Sequence, residues 1–420
     1  MAHFEITGPA RLKGTIPVRG SKNATTPILA ATLLTDQECT LSNLPLIEDV
    51  FCMLDILKSM GADVTWSGKR TVTVRAQRID PKKLSAPLVK KIRSSILLLG
   101  PLSARFGQFF LSHPGGCVIG ARPVDTHMDA LRALGVHVSQ KGKRYVVDAR
   151  KKKSGRVVLG EFSVTATENI LMLAASLPGT TTIKIAACEP HVVDLCEFLV
   201  KMGVRIAGVG THTLTVTGVK KRRGVTHTIV PDHTEAATFL ILGAVTGSSL
   251  RVAGARAEHL DAVLKKMEEC GVRFVVTRNS ITVLPPRALR ALVKVKPELY
   301  PGIPTDAQAL FGVLATQTHG TTLIHDSFYE GRFRYIEELM RMGANARILN
   351  AHQALVIGPT KLHGTKITGF DLRAGASLII AALAAQGTTI IENAHQVDRG
   401  YERIEERLRA IGAPITRVED

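Results

Sequence analysis

The 420-residue chain is poor in aromatic surface: aromatic residues make up 5% of it, with a single tryptophan. So few rings leave an RNP-like platform for stacking bases without support, and no nucleic-acid partner is expected. Long apolar runs are missing too. The longest nearly apolar stretch, Ala374 to Ala385, falls well short of the ~18–20 residues that cross a bilayer, so no membrane insertion is expected. The first residues, Met1-Ala2-His3-Phe4-Glu5, lack a basic-then-apolar export pattern, which makes the cytoplasm the expected location. Six cysteines, at 39, 52, 117, 188, 196 and 270, include no CxxC pair, and no Cys/His group has zinc-ligand spacing. Reduced thiols and no metal site are therefore expected. A Walker P-loop, a GxGxxG turn after a strand and a GxSxG elbow are also absent, which argues against nucleotide hydrolysis, Rossmann cofactor binding and serine hydrolase chemistry.

Aliphatic packing and charge are what the chain does have. Apolar residues reach 45%, enough for a sizeable core, and the length predicts two or three domains. Lys and Arg number 54 against 36 Asp and Glu, a net charge of +18 that favours anionic partners. The runs Lys151-Lys152-Lys153 and Lys220-Lys221-Arg222-Arg223 lie between strand-like stretches and read as solvated hairpin tips.

One short pattern recurs six times: an amphipathic helix, a glycine, then a residue opening a strand. The glycines are Gly61, Gly135, Gly203, Gly271, Gly343 and Gly412, at intervals of 74, 68, 68, 72 and 69 residues. Glycine suits the position after a helix end, where φ turns positive. Each copy also holds an earlier helix of small and aliphatic residues, such as DHTEAATFLILGAVTG and LRAGASLIIAALAAQG. These are apolar nearly all round and so should be buried, whereas the later helices carry charged faces and should be exposed. One unit reads strand–helix–strand–helix–strand–strand. Six units of ~70 residues divide naturally into three plus three. That gives an α/β chain with domains 22–230 and 1–21 plus 231–420.

A buried helix presents only its ends, and its N-terminus attracts anions. Near these starts, or after the later strands, stand Lys22, Arg93, Arg122, Arg332, Arg373 and Arg399, with Asn23, Asp306 and Asp371 beside them. The segment from His113 to Asp125 holds three glycines and two prolines and reads as an inserted, mobile lid. Cys117 lies at its middle; near cations its thiol would ionise more readily, leaving open an acid, a nucleophile or an inert group. Cys52, Cys196 and Cys270 fall within helix patterns and read as packing residues. His127, His191 and His233 sit near helix starts, where capping or surface roles are expected.

The segments SKNATTPILAATLL, PGGCVIGARPVDTH, PTDAQA, DLRAGASL and DRGYERIEERLRAIGA resemble those of the UDP-N-acetylglucosamine 1-carboxyvinyltransferases of the enolpyruvyl transferase family. The likeness runs from about Phe4 to Val418. It implies two inside-out α/β domains of three repeats each, the EPSP synthase-like fold, with the active site in the interdomain cleft. It also implies transfer of the enolpyruvyl group of phosphoenolpyruvate to the 3-hydroxyl of UDP-N-acetylglucosamine, with release of phosphate and without metal or cofactor, as the first committed step of peptidoglycan synthesis. A monomer is expected.

By the same resemblance Cys117 donates a proton and forms an adduct with phosphoenolpyruvate, and Asp306 is the base at the sugar hydroxyl. Lys22 and Asn23 meet phosphoenolpyruvate and the sugar, and Arg93 lines the sugar-nucleotide site. Arg122, Pro123, Val124, Asp125 and Thr126 grip the uridine end, Ser163 and Val164 the diphosphate. Phe328 offers a backbone contact to the sugar, and Arg332, Asp371, Arg373 and Arg399 line the phosphoenolpyruvate side. The substrates together carry about −5, which six convergent cations would offset. The chain departs from the family pattern at Glu161, where a Lys commonly meets the diphosphate, and at Leu97, Thr165, His233 and Gly331. Competing readings are the sister transferase acting on shikimate 3-phosphate, whose GNAGTxxR motif is absent, and a non-catalytic anion- or nucleic-acid-binding paralogue.

Overall fold

The computed structural model describes residues 2–115 and 123–419. The described residues form six small sheets, and the first, third, fourth and fifth repeats follow the strand–helix–strand–helix–strand–strand order expected from the sequence. The second opens on the short helical turns Pro81–Lys83 and Ala86–Val89 instead of a strand, so its sheet has three strands, and the sixth takes its last strand from the N-terminal His3–Gly8. In the first repeat, the helix Lys22–Ala31 leads to the strand Glu38–Ser42, the helix Glu48–Ser59 and the hairpin Asp63–Gly68/Thr71–Arg75. The strand after the buried helix pairs antiparallel with the second hairpin strand, Cys39 opposite Val74 and Leu41 opposite Val72. A parallel strand from another part of the chain closes the far edge; here it is Thr226–Thr228. Gly61, Gly135, Gly203, Gly271, Gly343 and Gly412 all have positive φ, between 75° and 104°. An L side chain at any of them would be strained.

The described residues form two compact units, 20–115 with 123–230 and 2–19 with 231–419, and each has its own apolar core. In the first unit Thr226–Thr228 runs back to the opening strand of its first sheet and closes the ring of three repeats. In the second, the N-terminal strands do the closing. Lys13–Pro17 joins Ser249–Ala253 in parallel, and His3–Gly8 lies antiparallel between Gly387–Glu392 and Ile415–Val418.

The earlier helices are buried as their composition predicts. Every residue of His233–Val245 is buried, as are Ala374–Leu383 within the helix Leu372–Ala384. The sheets wrap these helices, so the layers are reversed relative to a sheet sandwiched by helices. The second earlier helix departs from expectation. Arg93–Leu98 is 3₁₀ and only Leu99–Arg105 is α-helical, because Pro101 has no N–H to offer the preceding turn. Asn169, fully buried, repairs the break: its amide donates to the carbonyl of Ile96 at 3.1 Å and its Oδ1 accepts from the N–H of Gly100 at 2.6 Å. A Cβ at Gly100 would lie 2.4 Å from the backbone oxygen of Asn169. Neither backbone can yield, so Gly100→Ala should cost about 2–3 kcal/mol. Urea unfolding of the two proteins measures the difference.

The two basic runs are not hairpin tips. Lys151–Lys153 follows the strand Arg144–Asp148 and precedes Arg156–Val158 in a different sheet, and Lys220–Arg223 likewise connects two sheets. Some of their side chains turn inward onto the carbonyl ends of the buried helices. Lys152 Nζ donates to the oxygen of Ser103 at 2.8 Å. Arg222 donates to the carbonyls of Leu34 and Val219. A cation there satisfies carbonyls that the last helical turn leaves unpaired and opposes the helix dipole. Strand hydropathy cannot separate such a connection from a hairpin, because both join two strand-like stretches.

Candidate functional site

Each unit gathers its polar groups at the N-terminal ends of its buried helices. In the second unit, Asp232 caps the helix His233–Val245, accepting from the N–H groups of Thr234 and Glu235 at 2.9 and 3.0 Å. Asp371 caps Leu372–Ala384 in the same way, accepting from Arg373 and Ala374. Asp306 lies in the 3₁₀ turn Thr305–Ala307 that opens the remaining buried helix, Gln308–Ala315.

Asp306 is bonded to two guanidinium groups. Arg332 Nη2 donates to its Oδ1 at 2.8 Å, and Arg373 Nε to its Oδ2 at 3.3 Å. Both arginines are buried, whereas the Asp306 side chain is 28% exposed. The far side of Arg373 faces Asp232 Oδ2 at 3.6 Å, and its guanidinium lies 5.1 Å from the ring centre of Tyr401. Tyr401 OH in turn meets Thr238 Oγ1 at 2.7 Å. Burial alone would lower the pKa of each guanidinium. For Arg332 the charges of Asp306 and Asp371 outweigh burial; for Arg373, Tyr401, Asp232 and Asp306 do, so both shift upward. They stay cationic. Even so, two buried donors, Arg332 Nε and Arg373 Nη1, make no hydrogen bond among the described residues. Buried polar groups normally find partners, so two orphaned cationic donors beside a carboxylate that faces solvent mark a place built for an anion.

Other residues singled out in the sequence lie around this core. The backbone N–H of Phe328 is held by Asp326 Oδ1 at 2.9 Å, and Asp326 also accepts from Thr305 Oγ1 at 2.7 Å, fixing the turn that carries Asp306. Arg399 ends the short helix His395–Asp398, two residues before Tyr401.

In the first unit, Ser21 caps the helix that Lys22 and Asn23 begin, and Ser163 caps the helix that Val164 begins. Lys22 Nζ pairs with buried Asp49 at 3.2 Å. Pro123 and Val124 lead into the helix Asp125–Ala133, and Thr126 Oγ1 donates to Glu161 Oε1 at 3.0 Å. Glu161, expected to repel a diphosphate, is thus tied to a residue expected at the uridine end. Arg93 lies near His127 and Tyr145, whose ionisation it opposes and favours respectively. Cys117 and Arg122 lie outside the described residues.

The three histidines His127, His191 and His233, expected in capping or surface roles, are all buried, and the capping positions of their helices belong to Val124, Glu189 and Asp232. His127 Nε2 meets Thr165 Oγ1 at 2.8 Å, and burial, reinforced by Arg93, pulls its pKa from 6.5 down to about 4. The unfolded chain therefore takes up a proton below about pH 6.5 that the native ring refuses until about pH 4. Stability should be unaffected above this window and fall within it as pH drops, by about 2 kcal/mol at about pH 5 through this group. His127→Gln should flatten that slope in unfolding measured across the acid range.

Asp232, Tyr401 and Thr238 escaped the sequence reading. Asp232 was detectable: DHTEAA opens the fourth repeat as DLRAGA opens the sixth, so the counterpart of Asp371 was in view. Tyr401 and Thr238 meet across 163 residues, and no local pattern marks that. Among the described residues no group of three or more His, Cys, Asp or Glu could hold a metal ion, and no helix is long and apolar enough to cross a membrane.

Residues 6–408 match the family described as EPSP synthase (3-phosphoshikimate 1-carboxyvinyltransferase). The UDP-N-acetylglucosamine 1-carboxyvinyltransferase of Koribacter versatilis is 42% identical across 100% of this chain and 97% of its own length. That of Wolinella succinogenes is 43% identical, covering 99% of each. Among solved structures, the enolpyruvyl transferase NikO from Streptomyces tendae superposes with a TM-score of 0.90 at 27% identity, covering 99% of both chains. EPSP synthase from Acinetobacter baumannii gives 0.77 at 18% identity over the full length of both, a likeness of fold alone.

Proposed function

The chain belongs to the EPSP synthase family and, within it, to the UDP-N-acetylglucosamine 1-carboxyvinyltransferases, and from that premise we propose how its residues carry the reaction. It transfers the enolpyruvyl group of phosphoenolpyruvate to UDP-N-acetylglucosamine with release of phosphate, in the cytoplasm. The acceptor oxygen adds to C2 as a proton reaches the methylene carbon; phosphate then leaves the tetrahedral ketal as the methyl group gives a proton back. One group must protonate carbon and another must take the hydroxyl proton.

Asp306 is the base. In the resting protein its charge is shared between Arg332 and Arg373. The phosphate and carboxylate of phosphoenolpyruvate would engage those guanidinium groups through Arg332 Nε, Arg373 Nη1 and the donors now held by Asp306, freeing the carboxylate for the hydroxyl proton. Arg399 adds a further cation and Asp371 orients Arg373. Lys22 and Asn23 meet phosphoenolpyruvate and the sugar. Arg93, Ser163, Val164 and the segment Arg122–Pro123–Val124–Asp125–Thr126 hold the nucleotide, and the Phe328 backbone holds the sugar. Fixed cations of this kind stabilise charge that grows on the departing phosphate without having to reorganise. Asp306 standing between two buried arginines with unfilled donors, in a chain so similar to these transferases along its whole length, carries this reading.

Cys117 is assigned the carbon-directed proton. Phosphate release should require both phosphoenolpyruvate and UDP-N-acetylglucosamine and should not occur with shikimate 3-phosphate. Fosfomycin, an epoxide mimic of phosphoenolpyruvate, should add once to the protein by intact mass, and the adduct should vanish in Cys117→Ser. Cys117→Asp should keep turnover while escaping the drug, because a carboxylic acid still donates a proton. Labelling at any other cysteine would sink this assignment; Cys39, Cys52, Cys188, Cys196 and Cys270 are all buried, and burial raises the pKa of each thiol.

A further inference from the structure

The charge excess is lopsided. Residues 20–230 carry 29 Lys and Arg against 15 Asp and Glu, while the rest of the chain carries 25 against 21. One unit therefore holds +14 of the net +18. The substrate-facing residues proposed above account for only three of its cations, Lys22, Arg93 and Arg122.

Much of the remainder gathers at one end of that unit. Its buried helices run the same way: the 3₁₀ segment Arg93–Leu98 packs on Lys22–Ala31, and Leu99–Arg105 on the final turn Thr32–Leu34. Three connections wrap the carbonyl ends of these helices. Segment 76–83 is held through Arg105, which bonds the carbonyls of Ala76, Gln77 and Leu33. Segment 149–156 is anchored by Lys152 on Ser103 and by the N–H of Ala149 on the carbonyl of Gly107. Segment 218–225 is anchored by Arg222 on Leu34 and by the N–H of Val219 on Ala175. Together the three hold twelve Lys and Arg and one acidic residue, Asp80. The eight residues after the matching strands of the other unit hold six cations in all. Ten of the twelve side chains are exposed, among them Lys82, Lys83, Lys151, Lys153, Lys220 and Lys221. Capping helix ends employs three of these, Lys152, Arg222 and Arg223, the last donating to the carbonyl of Lys201 at 2.8 Å, so helix electrostatics do not explain the other nine.

We infer that this end of the 20–230 unit is a docking surface for an anionic lipid bilayer. Three basic loops set round the ends of parallel helices can all meet a plane of headgroups at once, whereas a nucleic-acid duplex, being a cylinder, meets one or two. None of the three segments contains an aromatic residue, so a single strand would find nothing to stack on. Exposed lysines are point charges suited to a diffuse anionic surface, not to bidentate recognition of one phosphate. The loops carry no long apolar side chain to insert beyond Ile79 and Val219, so attachment is electrostatic, reversible and weakened by salt. Lys22, Arg93 and Ser163 begin the same helices whose other ends dock, so within this unit the substrate-binding end points away from the bilayer.

The test is co-sedimentation of the full chain with vesicles of phosphatidylglycerol mixed with phosphatidylcholine, against phosphatidylcholine alone, at physiological ionic strength. Binding is expected only to the mixed vesicles. Each surface cation removed should weaken it roughly fivefold, so K151Q/K153Q/K220Q/K221Q should lose on the order of several hundredfold. A second variant, K13Q/K265Q/K294Q/K361Q, lowers the net charge equally in the other unit and should lose less than about fivefold, if the patch and not total charge is what binds. Three results would each overturn the inference: no binding to the mixed vesicles, equal loss in both variants, or tighter binding to duplex DNA than to vesicles at matched phosphate, which would give the surface to nucleic acid.

Discussion

Asp306→Asn should lower kcat by about a thousandfold, within the range that general-base catalysis contributes. Asn has the size of Asp and can still accept from Arg332 or Arg373, so the turn Thr305–Ala307, tied down through Thr305 to Asp326, should keep its place. What disappears is the negative charge and the ability to take a proton. The two roles open to this carboxylate predict different kinetics. If Asp306 accepts the hydroxyl proton, kcat collapses while KM for phosphoenolpyruvate holds or falls, because the amide competes less for the guanidinium donors. If it merely holds the two buried guanidinium groups in place, kcat stays nearly intact and the change is confined to KM for phosphoenolpyruvate. Steady-state phosphate release separates the two, and the single fosfomycin adduct on Cys117 serves as the check on folding. A kcat within tenfold of the parent would remove Asp306 from the chemistry.

The largest expected loss of stability lies elsewhere. Arg407, on the outer helix Ile404–Arg409, donates through Nη1 to Glu235 Oε1 at 2.6 Å and through Nη2 to Oε2 at 3.1 Å. Its Nη2 also reaches the carbonyl of Pro17 at 2.6 Å, and Glu235 Oε2 accepts from the backbone N–H of Arg19 at 2.7 Å. The pair is almost wholly buried, and the guanidinium lies 4.9 Å from the ring centre of Phe239. Three pieces of chain are stitched here: the N-terminal segment, the fourth repeat and the sixth. Arg407→Met keeps the length and apolar bulk but leaves a carboxylate buried without its main partner, which should cost about 3–5 kcal/mol. Replacing both, Arg407→Met with Glu235→Met, should recover much of that loss, because an apolar pair of similar volume need not be desolvated at a penalty. Urea transitions of the parent, Arg407→Met, Glu235→Met and the double variant give the coupling. A single-variant cost below about 1 kcal/mol would mean that water reaches the pair.

The repeat was legible because its signals are local. A glycine after a helix end, and a helix apolar all round, report on backbone conformation and burial within a few residues, and both recur often enough for the period to emerge. The buried helices, the six positive-φ glycines and the strand order follow from that alone. Where local sequence misled, the cause was equally physical. Pro101 breaks a helix that composition makes continuous, and the break persists because Asn169, far along the chain, satisfies the exposed backbone groups. The basic runs looked like hairpin tips because hydropathy does not say whether two adjoining strands share a sheet.

By itself the sequence determined which residues begin the buried helices, and therefore that Lys22, Arg93, Ser163, Asp306 and Arg373 stand where helix dipoles favour anions. It could not determine which of them touch. That Asp306 lies between Arg332 and Arg373, that Tyr401 backs Arg373, and that Arg407 closes on Glu235 are settled only by tertiary structure. These contacts join residues tens to hundreds of positions apart, and their strength comes from removing both partners from water, a property of the packed unit and not of any stretch of chain.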